Sequence, residues 1–292
     1  MLNNIKSLLS SKWAKLEFQV LLYYLRRYKL NIVYNQKKTI SEKYKKKYFN
    51  ILLITESPEY AENIDWFKYD YLYDLEVSFR NNTKAEMLVN INHQYCNVDI
   101  FAGEFYTTAI TQKERSAVLL ISKKSETSGH LNRKIVYNKF NNSIFPINYY
   151  GSYVNKSYSD SALIYSKHRY SVVIENSKNG VYLSEKIFDS IKGGSIIFYW
   201  GNIDLLTKYG FKISSIIPIK SMACLHNQII EFDKEFQKNI TNLQESIIFN
   251  QEHLKKLRKV NVNNFLKNLY LPLFIKESGG KSTRECWKKY FS

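Results

Sequence analysis

Residues 170–202 read YSVVIENSKNGVYLSEKIFDSIKGGSIIFYWGN. Ser171–Ile174 is a short apolar run rich in β-branched residues, which predicts a strand. Glu175-Asn176-Ser177-Lys178-Asn179-Gly180 is a polar turn. Tyr182–Lys192 is amphipathic and is followed by Gly193-Gly194, the pattern of a helix with a glycine stop. Ser195–Trp200 is a second apolar run, ended by Gly201. Two strands joined by a helix pair in parallel, with a right-handed crossover. Ligands of such units bind beyond the carboxyl ends of the strands, against the helix N-terminus. That rule gathers Glu175, Asn176, Tyr182, Ser184, Glu185 and Lys186 around one pocket.

The flanking sequence repeats the alternation. Ala117–Ile121, AVLLI, predicts a buried strand, and a polar loop, Ser122–His130, follows it. Arg133–Phe140 predicts a helix with Asn132 as N-cap, which puts Arg133 at a helix start suited to a phosphate. A tyrosine-rich connector, Tyr149–Tyr153, leads to a helix near 158–168. After the central unit, Ile203–Lys208 reads as a short helix and Ile213–Ile219 as a strand interrupted by Pro218. Gln228–Asn239 and Thr241–Leu257 read as helices, with a polar break near Arg258–Asn264. An apolar stretch at 263–275 and a basic tail at 276–292 close the chain.

The first third is less regular. Residues 1–34 carry apolar residues at mostly helical spacing among lysines and arginines. Such a helix either packs on its own domain or lies on an anionic membrane surface. Residues 35–48 are a basic connector. Phe49–Thr55 reads as a buried strand that ends at Glu56-Ser57-Pro58, where the proline keeps Ser57 out of helix. A carboxylate at the carboxyl end of a strand suits a cleft. Residues 65–80 are rich in aromatics, fitting either core packing or a sugar-binding wall. Residues 81–116 show no clear element. The expected division is residues 1–112 and residues 113–292, the second with C-terminal helices.

The fold class this alternation implies is α/β. The 292 residues include 43 Lys and Arg against 26 Asp and Glu, a net charge of +17. Such a balance favours polyanionic partners, although a composition heavy in Lys, Asn, Ile and Tyr also produces it without a binding role. Cys96, Cys224 and Cys286 stand far apart, so a disulfide framework and a zinc site are both unexpected. No apolar run approaches about 18 residues, and the start lacks a signal-peptide pattern, so the expected location is cytoplasmic, with peripheral contact to the inner membrane. Gly279-Gly280-Lys281-Ser282 fails the phosphate-loop spacing, because Ile275 stands where the first glycine is needed.

Lys186 at a helix start adds charge to backbone N–H groups directed at an anion. Glu185 beside it would weaken anion binding unless it accepts from hydroxyls. A nucleotide sugar, with a diphosphate and vicinal ribose hydroxyls, uses both. The glycine-rich dinucleotide fingerprint is absent.

Glu175-Asn176-Ser177, Tyr182-Leu183-Ser184-Glu185-Lys186-Ile187, a helix, then Phe198-Tyr199-Trp200-Gly201 together resemble the signature of the α-1,3-fucosyltransferase family (glycosyltransferase family 10), bacterial type, in divergent form. Glu56-Ser57-Pro58 resembles the E-S-P that follows a strand in the N-terminal half of the same enzymes. The overlap covers roughly residues 49–60 and 115–205. The chain departs from the family at Leu183-Ser184, in place of V-T, and at Asn202-Ile203-Asp204, in place of a proline-containing segment.

This resemblance implies a GT-B-like fold, two Rossmann-like domains facing a cleft, with a shortened N-terminal domain. It implies inverting transfer of L-fucose from GDP-β-L-fucose to a glycan hydroxyl, with no metal. An α-1,3 linkage to an N-acetylglucosamine or glucose unit of a surface polysaccharide such as lipopolysaccharide is expected. The implied base is Glu56. The implied donor-binding residues are Arg133, Glu175, Asn176, Tyr182, Glu185 and Lys186, with Glu175 facing the fucose. The alternatives are a transferase using another GDP-sugar, a catalytically dead scaffold, and a basic nucleic-acid-binding module. No nucleic-acid motif is legible.

Overall fold

The computed structural model describes residues 30–34, 49–53, 58–63, 75–78, 87–90, 104–178 and 182–277. Side chains are described for Glu59, Ala61, Asn63, 104–178 and 182–257. Two compact units form: residues 1–56, 64–99 and 262–292 make one, and residues 57–63 and 100–261 make the other.

The first unit holds four parallel strands in the order β1-β2-β3-β4: β1 (Leu30–Tyr34), β2 (Phe49–Leu53), β3 (Leu75–Ser78) and β4 (Met87–Asn90). β2 lies where the apolar run predicts it. β1 corrects the helical reading of residues 1–34 at its C-terminal end. Leu30-Asn31-Ile32-Val33-Tyr34 pairs along its length with β2, and ladder pairing outweighs a helical spacing that local pattern alone supports. The rest of that helix, Glu56, and the aromatics at 66–73 lie outside the described residues.

The second unit begins with α1 (Pro58–Asn63) and continues from residue 100. Its strands are β5 (Glu114–Leu120), β6 (Ile147–Tyr150), β7 (His168–Ile174), β8 (Ile196–Trp200) and β9 (Ile216–Pro218). All pair in parallel, in the order β6-β5-β7-β8-β9. The helices are α2 (Ser128–Phe140), α3 (Ser161–Lys167), α4 (Glu185–Gly193), α5 (Ile203–Lys208), α6 (Leu225–Lys234) and α7 (Phe236–Glu277).

Side-chain alternation explains the layers. Val118, Leu120, Val173, Ile197 and Tyr199 face one cluster, with Ile164 and Tyr165 of α3 and Ile187, Phe188 and Ile191 of α4. Ala117, Leu119, Val172, Ile174, Ile196 and Phe198 face the other, with Val136 and Phe140 of α2 and Ile229 of α6. A parallel sheet covered on both faces reads as a continuous apolar run, which is why β5, β7 and β8 stand out in the sequence. The crossover helices α2 and α3 lie on opposite faces. The strand order therefore has its switch point between β5 and β7, and a crevice opens at their carboxyl ends.

Several helix limits differ from expectation. α2 begins at Ser128, with Thr127 as N-cap, five residues before the predicted Arg133 start with its Asn132 cap. The Thr127 side chain accepts from the His130 N–H, and a serine–glycine pair read as loop forms the first turn. Helix α6 ends at Lys234, and α7 runs unbroken through 258–264, a polar stretch with no glycine or proline to stop it.

Buried polar groups pin the far end of α4. Lys113, 5% exposed, donates to the carbonyls of Ser166 at 2.5 Å and Gly193 at 2.8 Å. Burial pushes its ammonium down to about 8. Gln251 of α7 donates to the carbonyls of Tyr106 and Lys192, both at 2.9 Å.

Candidate functional site

The chain leaves β7 at Ile174 and immediately places two polar residues in the interior. Glu175 is fully buried and Asn176 is 8% exposed. Burial of a carboxylate demands partners. Ser184 supplies two: its backbone N–H donates to Oε1 at 3.1 Å and its hydroxyl donates to Oε2. Tyr199 of β8 donates its hydroxyl to Oε1 at 3.3 Å. Burial raises the Glu175 carboxyl above the ordinary carboxylate range, against the pull of the Lys186 ammonium.

Ser184 is also the N-cap of α4, accepting from the Lys186 N–H. The carboxylate of Glu175 therefore fixes the residue that starts α4. Gly201 completes this packing, because a Cβ there would fall 2.2 Å from the Tyr199 hydroxyl. Glu175, Ser184, Tyr199 and Gly201, all within the motif quoted above, form the buried frame of the loop. Glu175 was expected to face a sugar. Here each of its oxygens is engaged by that frame.

Arg133 crosses from α2 to the end of β7. It is 3% exposed and donates from Nε and Nη2 to the Ile174 carbonyl at 3.0 and 2.7 Å. Nη2 also donates to Asn176 Oδ1 at 2.7 Å. Burial lowers the guanidinium and the Glu175 charge opposes this, but an arginine stays protonated. Asn176 in turn donates to the Tyr182 hydroxyl at 3.5 Å. Tyr182 is 3% exposed and precedes α4.

Glu185 and Lys186 form the half-buried rim. Lys186 Nζ lies 2.7 Å from Glu185 Oε1, with side chains 21% and 47% exposed respectively. Partial burial raises the Glu185 carboxyl, but the ammonium outweighs it and leaves the group below its usual range. Burial lowers Lys186, and the Glu185 charge reverses this to a net rise. The pair faces the same region as Arg133, whose charge perturbs both.

The start of α2 is occupied by protein. The Ser128 N–H donates to Glu59 Oε1 at 2.6 Å and the Ser128 hydroxyl to Glu59 Oε2 at 2.8 Å. The Gly129 N–H donates to the Asn176 carbonyl at 3.2 Å, and His130 N–H to Thr127. Gly129 is forced: a Cβ would sit 1.7 Å from the Glu175 carbonyl oxygen. The first three amide donors of α2 are thus taken, and Arg133 sits in its second turn. Arg133 meets the site through its guanidinium rather than by standing at a helix start.

Six of the seven predicted site residues, Arg133, Glu175, Asn176, Tyr182, Glu185 and Lys186, are brought together at the switch point; Glu56 lies outside the described residues. Sequence reading missed Glu59, Gly129 and His130. The Thr127-Ser128-Gly129-His130 run, a cap followed by a glycine, is the signal for the last two. Among the described residues, no group of three or more His, Cys, Asp or Glu is arranged to hold a metal ion. No described helix is long and apolar enough to cross a membrane.

No protein-family model and no curated protein matches the chain. Among solved structures, one of an alpha1,3-fucosyltransferase is 13% identical with a TM-score of 0.46, covering 81% of this chain and 78% of that one. An alpha1,3-fucosyltransferase with GDP is 15% identical with a TM-score of 0.43, covering 75% of each. A third, with GDP-fucose, is 14% identical with a TM-score of 0.37, covering 82% of this chain and 75% of that one.

Proposed function

We propose that this chain is a glycosyltransferase that moves L-fucose from GDP-β-L-fucose to a glycan hydroxyl, with inversion and without a metal. The observation that carries this reading is the meeting of Arg133, Asn176, Tyr182, Glu185 and Lys186 at one switch-point crevice, held by the 2.7 Å Arg133–Asn176 bond.

The acceptor oxygen forms a bond to the anomeric carbon as the bond from that carbon to the β-phosphate oxygen breaks. The acceptor proton passes to the Glu56 carboxylate, and the bonding pair leaves with GDP. Lys186 and Arg133 stabilise the charge that develops on the diphosphate. In that complex Lys186 exchanges its contact with Glu185 for phosphate, and Glu185 accepts from ribose hydroxyls. Tyr182 donates to phosphate, and Asn176 orients the loop. Glu175 supports Ser184 rather than touching sugar. The two units form the halves of a GT-B-like enzyme. The acceptor is a surface-polysaccharide unit, N-acetylglucosamine or glucose, joined in α-1,3 linkage. The basic surface brings the enzyme to lipid-linked acceptor at an anionic membrane face.

A panel of GDP-sugars in a thermal-shift assay tests this, because a true donor stabilises the fold by linkage. GDP-fucose should give the largest shift, with product formed on N-acetylglucosamine-containing acceptors. A larger shift from another GDP-sugar would reassign the donor. No response to any GDP compound, with salt-dependent binding of random oligonucleotides, would replace the enzyme by a nucleic-acid-binding module.

A further inference from the structure

Tyr158 has an aromatic face that the fold leaves unused. It lies in the loop from β6 to α3, at the carboxyl edge of the second sheet. The other tyrosines of that stretch are engaged. Tyr149 and Tyr153 pack edge-on against Tyr137, and Tyr150 lies under the Lys156 ammonium at 3.9 Å. Tyr158 is 42% exposed and, among the described residues, has no ring or hydrogen-bond partner. Its place in the fold is nevertheless fixed. Asp160, two residues on, caps α3 by accepting from the Leu163 N–H at 3.2 Å, and it also accepts from the Tyr106 hydroxyl at 2.8 Å. α3 and α4 lie side by side in one register: the Ser161 hydroxyl donates to the Asp189 carboxylate, and Gly193 packs on Tyr165. Both pairs are 28 positions apart, and the same offset carried back one turn brings Tyr158 level with Lys186. The electrostatics agree. Burial of the phenol raises it, and the charges that act on it are those of Lys186, Glu185, Asp189 and Arg133, Lys186 the most.

A nucleoside diphosphate has three parts to hold. Lys186 and Arg133 suit its phosphates and Glu185 its ribose, which leaves the flat base. An exposed ring beside those groups offers the matching face. We propose that Tyr158 is the seat of the nucleobase: its ring stacks on the guanine while Lys186 and Arg133 hold the diphosphate. This rests on the functional reading above and deepens it. The contact is made by the ring face, so the hydroxyl is not needed for it.

The test uses the full chain, with GDP and inorganic pyrophosphate as probes in calorimetric titration. Tyr158→Ala should weaken GDP binding about 10-fold, within the range of one base–aromatic stack, and leave pyrophosphate binding within about twofold of wild type. Tyr158→Phe, which keeps the ring and loses the hydroxyl, should bind GDP within about twofold of wild type. In Tyr158→Trp the added indole fluorescence should be quenched by GDP and not by pyrophosphate. None of the three variants should shift Tm appreciably, because the position is exposed and unpartnered. Unchanged GDP affinity in Tyr158→Ala would overturn the proposal and leave the donor site standing. An equal loss for pyrophosphate, or a Tyr158→Phe variant as weak as Tyr158→Ala, would assign Tyr158 to the phosphates and overturn it as well. If wild type binds no GDP, the functional reading falls and the role of Tyr158 with it.

Discussion

Arg133 and Asn176 tie α2 to the loop after β7: Nη2 of the arginine donates to Oδ1 of the asparagine over 2.7 Å while also holding the Ile174 carbonyl. Lysine has no planar fork to serve both acceptors. Arg133→Lys should therefore cost about 1–3 kcal/mol of stability through unsatisfied buried acceptors, read by chemical denaturation. It should also weaken GDP binding. Unchanged stability would mean that the loop does not depend on the fork.

Lys186 is the cation best placed to reach a diphosphate, being partly exposed beside the α4 start. Lys186→Ala should weaken GDP binding by about 10- to 100-fold, the equivalent of one charge-assisted hydrogen bond, with little change in Tm. Calorimetric titration with GDP checks this, and an unaltered Kd would remove Lys186 from the site.

Glu175 predicts a different pattern. Glu175→Ala leaves the Ser184 hydroxyl and N–H and the Tyr199 hydroxyl without their acceptor. It should destabilise the unit by roughly 3 kcal/mol and weaken GDP binding indirectly by loosening the α4 cap. Glu175→Gln should lose much less stability. A glutamine variant that binds GDP normally but transfers no sugar would return Glu175 to direct contact with the fucose.

His130 gives the unit an acid-sensitive point. It is 4% exposed, shares a hydrogen bond with Thr127 Oγ1, and is pushed down from 6.5 to about 4 by burial, with the Arg133 charge adding to it. The folded state therefore keeps it neutral, while the unfolded chain takes up a proton as pH falls through 6.5. Stability should drop between these values, by up to about 3 kcal/mol from this residue. His130→Asn should flatten that part of the pH–stability curve in urea titrations. An unchanged slope would show that other groups govern it.

The β7–α4–β8 unit was legible because each part has a strong local cause. Val172, Val173 and Ile174 are β-branched or apolar throughout, Ser184 caps, and Gly193-Gly194 stops the helix. Arg133 does meet Asn176 at the switch point, but not from a helix start, since the start of α2 depends on a glycine whose need comes from the distant Glu175 carbonyl. No local pattern reports that contact. Glu175 shows the same limit. A glutamate after a strand reads as a ligand group until the 9-residue separation from Ser184 is closed in space. β1 depended on its pairing with β2, and the continuity of α7 on the absence of a breaker in a polar stretch that looked like one.

The Gln251 side chain joins residues separated by 145 and 59 positions, Tyr106 and Lys192. Synthesis runs from the N-terminus, so all five strands of the second sheet are made before this amide exists. The Tyr106 carbonyl waits for residue 251 and the Lys192 carbonyl, which also accepts from the Tyr106 N–H, gains its second donor only then, while α4 already carries Lys186 at its opposite end. A late fastening of the second unit is thus delivered by α7, so a chain released before residue 251 would have Arg133 and the whole of α4 but lack the amide that holds the far end of that helix.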